Sequence, residues 1–159
     1  MKGRLIVKYK PADYSDSFSK DFVVQKPMTV DELFDSMFCN FPCYVSAMLK
    51  LRDAMVKPLK LKTGATFRDR VIERNDEEIV VGAIDKHLSF WVSVYCSLPK
   101  DGCQTTSVST VVKFHNVIGR LYFAFIWVFH KLMVSSLFRR ATSSAFSTKH
   151  NRKAATGNN

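Results

Sequence analysis

The sequence predicts an α+β domain: an antiparallel sheet packed on a long apolar helix near the C-terminus. Three observations lead there. Helical signals come early, a run of strand-like segments is punctuated by turn residues, and residues 117–138 are apolar almost throughout.

Residues 14–24 read as a first strand, with Phe18 and Phe22 in phase at period two. Pro27 breaks it. Thr29 and Glu32 then stand at the capping-box spacing, so a first helix is expected over 30–38. Pro42 suits the first position of a second helix, in which Val45, Met48, Leu49, Leu51 and Met55 mostly recur at spacings of three and four. Pro58 ends it.

Four strands follow. Residues 67–74 and 77–85 flank Asn75-Asp76, a two-residue hairpin signal. Residues 86–98 and 104–115 flank Pro99-Lys100-Asp101-Gly102, a turn by composition. Leu88, Phe90, Val92, Val94 and Cys96 share one face, as do Val108, Val112 and Phe114 on the next strand. Opposed residues lie on one face, so apolar matching requires paired numbers with an even sum. With a sum of 200, Phe90 meets Thr110 and Val92 meets Val108, while His87 opposes Lys113 and has His115 as a diagonal neighbour.

In the last helix Leu121, Phe125, Val128 and Leu132 form one line, with Ile118, Tyr122, Phe129 and Met133 beside it. That broad apolar side is expected to cover the sheet, leaving Arg120, Ala124, Lys131 and Ser135 toward solvent. Residues 1–12 read as an N-terminal extension, 13–141 as the domain, and 142–159 as a basic disordered tail poor in residues to bury.

Charge is uneven. The chain carries a net +10, yet no Asp or Glu follows Asp101, and the residues beyond it contribute +8. The basicity belongs to one helix and a tail rather than to a folded face or a known nucleic-acid motif, so no nucleic-acid partner is expected. A tail in peripheral contact with anionic membrane is the alternative. The N-terminus lacks the apolar run of a signal peptide, which predicts a cytoplasmic location and four free thiols. Cys39 and Cys43 lack a second ligand pair, so neither a metal nor a cofactor is expected. Cys96 and Cys103 have an odd sum and should face opposite ways without a disulfide.

Several segments together resemble a known family: Leu51-Arg52-Asp53 and Leu59-Lys60-Leu61-Lys62, then Asp85-Lys86-His87-Leu88-Ser89-Phe90. The resemblance continues through residues 110–116, Gly119-Arg120-Leu121-Tyr122 and Phe129-His130-Lys131-Leu132. In this order they are similar to an uncharacterised bacterial family, a domain of unknown function laid out like the START-like helix-grip (SRPBCC) proteins. The resemblance implies a helix-grip fold and an apolar cavity, and no known activity.

Three function classes follow. The first is a binding module holding an apolar or amphipathic small molecule between sheet and last helix. Arg120, Tyr122, Phe125 and Phe129 would line the helix side, and Phe90 and Phe114 the sheet side. Arg120 could grip an anionic headgroup there, or bridge to Asp85. The second is a cyclase- or hydratase-like enzyme using Asp85, His87 and His115 for proton transfer, against the reading of strand-end histidines bonded to each other or to backbone. The third is a protein anchored in a membrane through residues 117–138, which are long enough to span it but carry Arg120 and Lys131 inside the span.

Overall fold

A computed structural model describes residues 4–23, 27–38, 46, 50 and 67–147. The architecture is α+β. Strands β1 (Tyr14–Val23), β2 (Val71–Arg74), β3 (Glu78–Ile84), β4 (Leu88–Cys96) and β5 (Cys103–Phe114) form one antiparallel sheet in the order β1-β5-β4-β3-β2. Helix α1 (Val30–Phe38) follows β1, and helix α2 (Val117–Ser147) closes the described chain. The second helix expected after Pro42 lies outside the described residues, apart from Ser46 and Lys50, which are helical.

Local chemistry explains the elements read correctly. Thr29 Oγ1 accepts the Glu32 N–H at 3.2 Å, and Glu32 Oε2 accepts the Thr29 N–H at 2.8 Å, a reciprocal cap that starts α1 where the sequence places it. Asn75 Oδ1 accepts the N–H groups of Glu77 and Glu78 at 3.0 and 2.7 Å and closes the β2–β3 turn. Asp101 and Gly102 adopt φ of 52° and 75° between the paired residues Lys100 and Cys103. Both centres of this turn are left-handed, as a tight hairpin requires.

The β4–β5 register has the expected parity but not the expected pairing. Phe90 meets Val112 and Val94 meets Val108, a sum of 202 rather than 200. At the turn, Lys100 and Cys103 sum to 203. One extra residue is therefore absorbed beside Pro99, which has no N–H to give to a ladder. Cys96 and Cys103 are free, the first buried and the second exposed.

The even-numbered face of β4 and β5 and the odd-numbered face of β3 build the main core with both helices. Ile79, Val81, Val92, Val94 and Val108 meet Leu33, Phe34 and Met37 of α1 and Val134, Leu137, Phe138 and Ala141 of α2. Gln104 fixes the entry to α1, since its amide bonds both the N–H and the C=O of Met28, at 2.9 and 2.7 Å.

The opposite sheet face is covered by the N-terminal segment. Leu5–Tyr9 forms a 3₁₀ turn that buries Ile6 against Val80 and Val111. Buried Glu78 anchors it, accepting the Leu5 N–H at 2.6 Å, the Ile6 N–H at 3.4 Å and the Ser93 hydroxyl. Tyr9 stacks on Trp91 at 4.9 Å, and the Arg4 guanidinium lies over the Tyr95 ring at 4.4 Å. Trp91 and Tyr95 therefore sit beneath residues read from sequence as an extension.

Helix α2 departs most from expectation. Its start is fixed tightly: Asn116 Oδ1 accepts the Gly119 N–H at 3.0 Å, and Asn116 Nδ2 donates to Lys86 O at 3.2 Å. A Cβ at Gly119 would lie 2.0 Å from the His87 carbonyl oxygen, so only glycine lets the helix approach this closely. The buried line is Gly119, Phe123, Val134, Leu137 and Ala141, joined by the partly buried Ile126 and His130. Phe125 is 69% exposed and Leu121 59%, so the line expected to cover the sheet points away from it, as does the exposed Phe129. The two lines are offset by two residues, a rotation of about 200°. Both are apolar, so periodicity alone cannot choose between them.

The helix also outruns its expected end. Ala141 and Thr142 are buried, and the Thr142 hydroxyl donates to Phe138 O at 2.9 Å, which satisfies a polar side chain that has no exposure to water. The expected disordered tail therefore begins within regular helix, and residues 148–159 lie outside the described residues.

Candidate functional site

The apolar interface between β1, β5 and α2 contains an unexpected polar group. Asp16 lies in phase with Tyr14 and Phe18 on β1, and its register partner on β5 is Thr110. His130 comes down from α2, and its Nε2 is 4.0 Å from Asp16 Oδ2, beyond hydrogen-bond length. The Tyr14 hydroxyl donates to the same carboxylate oxygen at 2.8 Å. Three buried atoms in this group have no hydrogen-bond partner among the described residues: Asp16 Oδ1, Thr110 Oγ1 and His130 Nε2. An unpaired buried polar atom is costly, so one on the carboxylate and two on its neighbours call for an explanation.

Electrostatics follow from the surroundings. Burial pushes His130 below its ordinary value, while the Asp16 carboxylate pulls the other way. The balance favours a neutral imidazole near pH 7. Burial and the hydrogen bond to Asp16 push the Tyr14 phenol up to about 12, offset in part by a hydrogen bond from Trp127. Tyr14 is therefore a fixed donor. Chemically, the group presents a carboxylate acceptor, a hydroxyl and a neutral imidazole at one wall of the core. Phe123 packs beside it, 4.8 Å from the Tyr14 ring and 6.4 Å from His130.

The residues singled out from sequence lie elsewhere. The His115 N–H donates to the His87 carbonyl at 2.9 Å, so these histidines oppose each other directly, with His87 not facing Lys113. Their side chains diverge. His87 Nδ1 lies 3.0 Å from Asn116 Nδ2, and His115 Nε2 lies 2.8 Å from Ser89 Oγ. His87 thus orients the residue that caps α2. The Asp85 backbone N–H donates to Leu88 O at 3.0 Å, and its carboxylate bonds neither histidine. Arg120 does not bridge to Asp85; its guanidinium lies 5.9 Å from the Phe114 ring centre.

Phe90, Phe114 and Tyr122 do come together, packed with Phe123, Leu88, Val112 and Ile126. They fill the space beneath the first half of α2. Two surface recesses, of about 220 and 240 Å³, lie by Lys20 and Ser143 and by Asp31 and Arg68, and neither touches these aromatics. No cluster of metal-ligating residues occurs among the described residues.

Asp16 and His130 were missed, although each left a signal. Asp16 is a carboxylate on the apolar phase of β1, and His130 falls on the line through Phe123 and Leu137. Only the tertiary pairing of β1 with β5 beneath α2 brings the two together with Thr110.

A family model described as "Protein of unknown function (DUF2867)" matches residues 9–137. The chain belongs to that family. The DUF2867 match takes in the whole sheet and most of α2, including Asp16, Thr110 and His130. No match to this DUF2867 chain is found among curated proteins or solved structures.

Proposed function

We propose that this DUF2867 protein binds an amphipathic small molecule between the sheet and α2, in the manner of the START-like helix-grip proteins it resembles. The observation that carries the reading is the set of unpartnered atoms on Asp16, Thr110 and His130. They supply acceptor and donor capacity to a ligand headgroup. The apolar tail takes the space now filled by Phe90, Phe114, Phe123 and Ile126. Entry moves the side chains of this smaller cluster apart, while Asn116 and Gly119 keep the start of α2 on the β3–β4 turn and the main core holds its second half.

The chemistry narrows the ligand. The Asp16 carboxylate repels an anionic headgroup, and a neutral His130 does not offset it. An uncharged hydroxyl or amide head fits. Monoolein should therefore bind and oleate should not. Native mass spectrometry of the full chain with each lipid tests this. Binding of monoolein that weakens in Asp16→Asn and Thr110→Val, with unchanged melting, supports the reading. Equal uptake of both lipids, or of neither, contradicts it.

Proton transfer is a second reading, favoured by the carboxylate and imidazole at 4.0 Å. It requires turnover of the bound ligand, lost in His130→Gln while binding remains.

A further inference from the structure

We infer that the outward face of α2 docks on an anionic membrane surface, with the helix lying in the plane of the interface. Ile118, Leu121, Phe125, Val128 and Leu132 follow one another along a single helical stripe, all exposed, and Arg139 continues it. Phe125 at 69%, Leu132 at 60% and Leu121 at 59% exposed make a contiguous apolar strip that water does not favour. The strip is on the outside of the molecule and independent of the proposed ligand site.

Charge selects the occupant. Arg120 and Lys131 flank the stripe on one side, and Arg139 sits at its end. No acidic residue occurs anywhere after Asp101, and Lys149, Arg152 and Lys153 add further positive charge. In a two-fold pairing of copies through this stripe, the arginines and lysines of both helices would flank the seam with no helix carboxylate to meet them. Anionic headgroups meet them directly. Arg120 and Lys131 are suited to that level. Both stand on the helix between the exposed stripe and the buried line, so their long stems can hold the cations at headgroup level while the stripe enters the lipid.

The helix is also long and apolar enough to cross a bilayer, over Val117–Ser143. Its other face decides against crossing. Phe123, Val134, Leu137, Phe138 and Ala141 are sealed against the sheet and α1, and a span would strip them away together with His130. One apolar face on the protein and the other on the lipid surface satisfies both sides.

Co-sedimentation of the full chain with vesicles tests this. The wild type should bind phosphatidylserine–phosphatidylcholine vesicles and leave pure phosphatidylcholine vesicles largely unbound. Arg120→Gln with Lys131→Gln should weaken binding about thirtyfold, from about 1 kcal/mol per basic residue near the surface. Leu121→Ser with Phe125→Ser should abolish it. Both side chains are exposed, so the melting temperature should hold. Equal binding to both vesicle types overturns the inference, as does binding untouched by the serine changes. A dimer that the serine changes dissociate, with no vesicle binding, assigns the stripe to a second copy and also overturns it. So do a monomer that ignores vesicles and a protein that only detergent releases.

Discussion

His130 and Asp16 face each other across the helix–sheet interface at 4.0 Å, close enough to interact and too far to bond. Burial holds His130 below its ordinary 6.5, and Asp16 opposes that shift. The unfolded chain therefore takes up the proton first as pH falls. His130's contribution to stability is full above about 6.5 and is lost as pH drops toward the folded value. Wild type should lose melting temperature over that window more steeply than His130→Gln. In Asp16→Asn, the His130 resonance should titrate lower still by NMR, because the opposing carboxylate charge is gone.

Phe123 and Phe125 separate the two faces of α2. Phe123 is 7% exposed and packs with Leu88 and Val112. Phe123→Ala should cost about 3–5 kcal/mol in denaturant unfolding, with the cavity term included. Phe125→Ala should stay within about 0.5 kcal/mol of wild type. The reverse order would place the sequence-predicted line on the sheet after all.

That contrast marks where the sequence was legible. Local signals were read correctly: Thr29 with Glu32 starts α1, and Asp101-Gly102 turns β4 into β5. Alternation on β4 and β5 fixed which residues face the core. It could not fix the pairing, because sums of 200 and 202 both match apolar to apolar, and the residue absorbed beside Pro99 chose between them. For α2, the lines through Leu121 and through Phe123 are both apolar, one for the protein core and one left at the surface. Asp16, Thr110 and His130 are far apart in the chain, so only the folded sheet and helix join them.

Gly119 should tolerate no side chain. A Cβ there meets the His87 carbonyl oxygen at 2.0 Å and its carbon at 2.7 Å, both backbone atoms that cannot rotate away. Gly119→Ala should destabilise by about 1–3 kcal/mol, as overpacking does. Denaturant unfolding checks it, and a neutral result would show that α2 can shift freely on the β3–β4 turn.

Glu78 should hold the N-terminal segment to the sheet. Glu78→Ala leaves the Leu5 and Ile6 N–H groups and the Ser93 hydroxyl without their acceptor. A loss of about 1–3 kcal/mol is expected for buried donors left unpaired. Limited trypsin proteolysis should then cut after Arg4 or Lys8 well before it attacks the sheet. Unchanged cleavage would show that Ile6 and the Tyr9–Trp91 stack suffice.

The most direct test of a headgroup site at Asp16, Thr110 and His130 is NMR of the full chain labelled only at histidine, titrated with monoolein. The four histidines include both the pair singled out from sequence and the one the fold brings to Asp16. Binding as described should move the His130 ring resonances and leave those of His87 and His115 in place. Saturating monoolein that shifts only His87 and His115, or no histidine at all, would contradict it.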